Sequence, residues 1–438
     1  MKGIKSVALL NAFVLVVAAS CPAADWPQWR GPFFNGSTEE KGLPASWSKT
    51  ENVAWVSPLP GPSGATPVIS NGRVFVSSTV KGMPDFVALC FDAKTGKELW
   101  RKPAGSNPRR FPNNNMASPS PVTDGKSVFF LYGDGTLLGF DFEGKELWSR
   151  SMEKEYGNLA LQFGYSNSPV LYDGKLLITV IRRDKPYREP TAEGPLDSFL
   201  AALDPATGKT LWKQQRKTDA FDEGMETYST LIPFTRSGKV ELLMTGGDFV
   251  TAHDPATGNE LWRCEYWTQK VRDSRVIPSL VTGAGLVFGT RHKNTGVFAL
   301  EPPTKEQGRD ALATGRIAWE SADVASDCCT PLFYDGRLYV LDGLSKKTVT
   351  CLDPKTGRTY WQGKLTGREA WWSSLTAAEG RLYCISEAGQ IVVIQAGGDE
   401  FKILHETQIK EPPIRSSIAI ADGRLYIRTA ENLYCIGK

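Results

Sequence analysis

Histidine is nearly missing from this chain. Its 438 residues hold only His253, His292 and His405, far apart and without metal-ligand spacing, which argues against a histidine-based zinc site. No H-E-x-x-H, no G-x-S-x-G and no phosphate-binding glycine loop occurs, and there is no C-x-x-C-H for covalent haem attachment. Net charge is equally scarce. Fifty-one Lys plus Arg face 48 Asp plus Glu, a balance of +3, and Lys2 and Lys5 of that excess belong to a leader. No net field then steers the chain onto nucleic acid. Past the leader no apolar run approaches the length of a transmembrane helix. The 8 cysteines become seven if Cys21 leaves with the leader, an odd number that cannot complete a disulfide framework.

What is present begins with that leader. Lys2 and Lys5 precede an apolar run over 7–19 followed by small residues, the pattern of a secretory signal over 1–23. Cleavage after Ala23 or Ala24 is preferred, and a lipid anchor on Cys21 is the second choice, because Ala18 stands where a lipobox usually has Leu. The expected location is therefore periplasmic or secreted, with outer-membrane association if the anchor is used. Residues 24–50 read as an N-terminal extension and 51–438 as the folded body. With 41% hydrophobic residues and Trp 13, the body buries aromatics, and wholesale disorder is excluded.

Repetition decides the fold. A glycine opens an alternating apolar run eight times, at Gly72, Gly125, Gly174, Gly238, Gly285, Gly336, Gly380 and Gly423, at intervals of 43 to 64 residues. Each glycine supplies a tight turn, and each run has the period of two of a strand. A second motif follows in most repeats: Asp92 to Trp100, Asp204 to Trp212, Asp254 to Trp262 and Asp353 to Trp361 share the spacing Asp-x-x-Thr-Gly-x-x-x-Trp. Asp141 to Trp148 is one residue shorter, and the repeat from Glu301 to Trp319 carries an insertion at 305–313. The Asp oxygen accepts backbone N–H groups, the Gly takes the left-handed position, and the Trp docks one unit on the next.

Each repeat thus reads as four short antiparallel strands, which predicts an all-β, eight-bladed β-propeller. The seventh repeat is weaker, with Phe401 to Leu404 where Trp would fall. The eighth stops after three strands. Val53-Ala-Trp55-Val-Ser57 has the Trp and strand of the missing element, so an N-terminal strand is expected to complete the last blade.

The Asp-x-x-Thr-Gly-x-x-x-Trp element, with Ala202 and Ala252 two residues before the Asp, resembles the repeat of the PQQ-like propeller superfamily. That superfamily holds quinoprotein alcohol dehydrogenases and the assembly factor BamB. Asp25-Trp-Pro-Gln-Trp-Arg-Gly-Pro32 is similar to the start of secreted propellers of this type. The resemblance implies the fold; function has to be argued from a site.

Local function belongs on the face where the connections into the innermost strands gather, because these are the least repetitive parts of the chain. Aligning repeats on the turn glycine brings Asn115, Tyr165, Arg275, Asp327, Cys328, Cys329, Trp371, Trp372 and Arg415 towards the mouth of the central channel, with Glu226 alongside. Arginines, carboxylates and aromatics converging on one axis suit a polar ligand or a peptide; the alternative is that they plug the channel and bridge blades. The insertion at 182–198 is expected to project from the same face. Cys328-Cys329 is similar to the vicinal disulfide that quinoprotein dehydrogenases place against their cofactor, with a Trp on the other face of the quinone. Their calcium ligands and Asp base have no identifiable counterpart here, and two adjacent thiols are expected.

The leading reading is a non-catalytic binding or assembly scaffold of the cell envelope, similar to BamB, with no cofactor or metal and an expected monomer. Its partner would be an envelope protein, a polar small molecule or a glycan. The alternatives are a dehydrogenase using PQQ with calcium, and an extracellular glycan binder with Trp371 and Trp372 as stacking platforms.

Overall fold

A computed structural model describes residues 25–111, 113–159, 161–187, 196–304 and 313–438. The leader, Cys21, most of the 305–313 insertion and the centre of the 182–198 insertion lie outside them. The described chain is all-β: eight sheets, each with a core of four antiparallel strands, with one short α-helix at Met152–Tyr156. No helix among the described residues is long and apolar enough to cross a membrane.

Blade 1 runs Val68–Ser70, Arg73–Thr79, Asp85–Asp92 and Glu98–Ser106 from inside to outside. Blades 2 to 8 start at the inner strands Val122–Thr123, Val170–Tyr172, Ile232–Arg236, Val281–Gly283, Leu332–Tyr334, Thr376–Ala378 and Ala419–Ala421. Blade 4 gains a fifth strand, Ala313–Thr314, parallel to its outer strand Glu260–Glu265. Val53–Pro58 is the outermost strand of blade 8, antiparallel to Asn432–Ile436 with Trp55 opposite Cys435. The ring is therefore closed by the chain's own N-terminal strand.

The turn chemistry explains the repeats. In seven blades the first hairpin has positive φ at both central residues, for instance Asn71 (47°) and Gly72 (71°), which is the type I′ geometry that follows strand twist. In the second turn Asp92 Oδ1 accepts the N–H groups of Lys94 and Thr95 at 3.1 and 2.8 Å. Gly96 then lies beneath an indole of the preceding blade: a Cβ there would meet Trp55 at 2.6 Å. The Trp55 indole N–H donates to Ala93 O at 3.0 Å, Trp100 to Phe142 O at 2.9 Å, Trp148 to Pro205 O at 2.7 Å and Trp319 to Pro354 O at 2.9 Å. Each tryptophan thus docks on the turn of the next blade. Trp262 departs, donating at 2.7 Å to Glu241 of its own blade.

Blade 7 lacks its tryptophan, and the extension supplies a substitute. Trp47 is buried in the core cluster shared by blades 7 and 8, its ring 5.0 Å from that of His405. The rest of the extension crosses the opposite end of the channel. Trp26 pairs with Ile69 of blade 1, Pro27 O accepts from Thr123 N of blade 2, and Phe34 packs against the cores of blades 3 and 4. Buried Arg30 donates to Pro331 O and Leu375 O of blades 6 and 7, at 3.2 and 2.9 Å. Residues 25–38 therefore plug the axis.

Candidate functional site

At the variable face the inbound connections of all eight blades, from Gly64 to Ser417, surround one central cavity with ≈ 1090 Å³ of empty space including its open mouth. Trp29 of the plug forms its floor, with the Arg30 guanidinium carbon 5.7 Å from the indole centroid. Above the floor lies a ring that runs once around the axis. The backbone N–H of Thr66 donates to Ser120 Oγ, Ser120 to Ser168, Ser168 to Thr230, Thr230 to Ser279, Ser279 to Thr330, Thr330 to Ser374, Ser374 to Ser417 and Ser417 back to Thr66, at 2.7 to 3.2 Å. One hydroxyl per blade thus caps one buried amide of its neighbour.

Two ion pairs stand higher on the wall. Arg275 grips Asp327 with both terminal nitrogens, at 2.8 and 3.2 Å, while Phe163 lies against its guanidinium. Arg415 donates to Glu387 at 2.9 and 2.6 Å and to Asn113 O, and it covers the ring of Trp372, whose indole N–H also donates to Glu387 at 3.1 Å. Behind the wall Tyr228 donates to Glu226 at 2.7 Å, and Arg183 pairs with the same carboxylate at 2.6 Å. Burial pushes the Glu226 carboxyl up, and its hydrogen bonds oppose that shift.

Of the residues expected at the mouth, Arg275, Asp327, Cys328, Trp372 and Arg415 line the cavity. Asn115 lines a smaller adjoining recess and donates to Pro62 O at 2.7 Å. Glu226 is fully buried one layer back. Tyr165, Cys329 and Trp371 are not at the mouth. Tyr165 is a core residue between blades 2 and 3 that donates to Thr179 O. Cys329 and Trp371 are packed in the core between blades 6 and 7, and the Cys329 thiol contacts Trp371 O at 3.1 Å. Cys328 and Cys329 are both free thiols. The expected stacking pair is thereby corrected: neighbouring side chains on these segments face opposite ways, so only Trp372 meets the cavity. Sequence reasoning missed Trp29, Asn113, Asn114, Phe163, Glu387 and the hydroxyl ring. The ring did leave a signal, since Thr66, Ser168, Ser279, Thr330, Ser374 and Ser417 each stand six residues before a turn glycine.

The donor set does not fit a calcium-bound quinone. Both carboxylates on the wall are held by arginines, and no group of three His, Cys, Asp or Glu among the described residues is placed to hold a metal ion. The Cys328 and Cys329 side chains diverge and so present no disulfide plate to the cavity.

Comparison with known proteins agrees with the fold. Polyvinylalcohol dehydrogenase of Sphingopyxis sp. (strain 113P3) is 28% identical over 196 residues, 44% of this chain and 28% of that protein. The dehydrogenase subunit of alcohol dehydrogenase (quinone) from Gluconobacter oxydans (strain 621H) is 29% identical over 189 residues, 40% of this chain and 23% of that protein. The matched region thus spans less than a third of either relative. Among solved structures, BamB from Moraxella catarrhalis superposes with a TM-score of 0.60 at 11% identity, covering 88% of this chain and 99% of that one. Quinohemoprotein alcohol dehydrogenase from Comamonas testosteroni gives 0.60 at 13% identity, covering 95% and 81%. Both show the shared fold. The family profile described as outer membrane protein assembly factor BamB matches residues 37–184, 196–301 and 249–435, and the chain belongs to that family of propellers.

Proposed function

We propose that this chain is a non-catalytic binding propeller of the cell envelope, which takes a polar small molecule or the end of a glycan into its channel cavity. One observation carries the reading: the cavity is a built pocket, floored by an indole, ringed by hydroxyls and walled by aromatics, whose carboxylates are both neutralised by arginines. Such a surface positions a ligand by stacking and hydrogen bonds. None of the described residues that line it is an unpaired base able to abstract a proton.

A second reading, a quinone-dependent dehydrogenase, is favoured by the names of the sequence relatives. Titrating the purified protein with PQQ and Ca²⁺ separates the two. The expected result is neither a saturable quinone absorbance change nor dye-linked alcohol oxidation. Stoichiometric quinone uptake with turnover replaces the binding reading by the enzyme.

A further inference from the structure

The hydroxyl ring is only half used. Ser120, Ser168, Thr230, Thr330, Ser374 and Ser417 line the cavity, each is more than nine-tenths buried, and each oxygen accepts one backbone N–H. None of these six hydroxyls donates its proton to any acceptor among the described residues. A hydroxyl that already accepts an N–H keeps its own proton to give, so a ring of six facing a cavity suits a ligand rich in acceptor oxygens.

Charge points the same way. Among the described residues Arg30, directly beneath Trp29, hydrogen-bonds only to carbonyl oxygens, of Asn35, Pro331 and Leu375, with no carboxylate partner. Arg428, whose guanidinium donates to the carbonyls of Gly61 and Ser63 beside the cavity wall, is likewise without one among the described residues. Of the two wall arginines, Arg275 is paired with Asp327 and Glu223 and Arg415 with Glu387, so the charges left uncompensated around the cavity are Arg30 below Trp29 and Arg428 at its side. A compact cation in a water-poor surrounding favours an anion above it. An indole floor favours a ligand with a flat apolar face.

Resting on the reading of this cavity as a binding pocket, we propose that its ligand is a carboxylated sugar ring, free or at the end of an acidic polysaccharide, stacked on Trp29 with its carboxylate and ring oxygens accepting from the hydroxyl crown. The carboxylate and not the sugar alone supplies the preference.

Calorimetry on the purified protein tests this with galacturonate, trigalacturonate, galacturonate methyl ester, galactose and inorganic sulfate. Binding of galacturonate or its trimer at least tenfold tighter than ester, galactose and sulfate supports the proposal, and the tighter of the two acids identifies the source. Equal affinity for acid and ester overturns the charge argument and leaves the binding pocket standing. Equal competition by sulfate overturns the sugar, and no binding by any of the five overturns the proposal. A Thr230→Val, Ser374→Ala variant should lose at least tenfold in acid affinity, with circular dichroism unchanged; undiminished affinity removes the crown from the site. If that variant fails to fold, the acid-to-ester ratio of the unaltered protein decides alone.

Discussion

His253 is a buried imidazole with both nitrogens satisfied, Nδ1 by Gly258 O at 3.0 Å and Nε2 by Thr251 Oγ1 at 2.9 Å. Burial, with nearby Arg216 and Arg263, pulls its pKa down to about 4, and hydrogen bonding to Gly258 O opposes the shift. The unfolded chain, with its ordinary value near 6.5, binds the extra proton first. Stability from this group is therefore complete above about pH 6.5 and is lost as pH falls towards about 4, by on the order of 3 kcal/mol. Urea unfolding at pH 7 and pH 5 should show about 2 kcal/mol of that loss, and His253→Gln should flatten the slope between them. Elsewhere, Ala284 sits at φ 52° in an exposed hairpin turn where its fellow blades carry Asn71, Asp173, Asp335 or Asp422. Ala284→Asn should stabilise the fold by about 0.5–1 kcal/mol in the same assay. Residue-scale chemistry was also where the sequence was hardest to read. Cys328 and Trp372 meet the cavity while Cys329 and Trp371 enter the core. Nothing in either pair of identical neighbours says which of the two faces inwards.

At the scale of the elements, the second turn of each blade couples backbone geometry to packing between blades. Gly72 and Gly96 have nearly the same φ, 71° and 72°, yet a Cβ at Gly72 meets nothing within 4 Å and one at Gly96 meets the Trp55 ring at 2.6 Å. Gly72→Ala should cost about 1 kcal/mol from backbone strain alone, and Gly96→Ala at least ~2 kcal/mol more, because the indole has to move. Equal losses in thermal or denaturant unfolding would show that the tryptophan contributes no docking energy. Trp47→Ala, which removes the substitute indole of blades 7 and 8, should cost about 3–5 kcal/mol. The Asp-x-x-Thr-Gly-x-x-x-Trp turns were legible because one local chemistry repeats along the chain. Trp47 was not, because an element used once has no internal copy to align with.

The whole molecule depends on ring closure. Deleting residues 1–57 removes the outer strand of blade 8, the plug and Trp47 together, and should abolish the cooperative thermal transition; survival of the full transition would contradict closure by Val53–Pro58. Closure was readable from the sequence because the last repeat lacked a strand and Trp55 offered one. The path of residues 25–38 across the axis was not, since it rests on contacts with blades separated by hundreds of residues, such as Arg30 with Leu375. With that segment in place the toroid is a cup, not a pipe. A ligand bound on Trp29, as proposed, would enter and leave by the one doorway past Arg275 and Arg415 and could not be handed through from one side of the disc to the other.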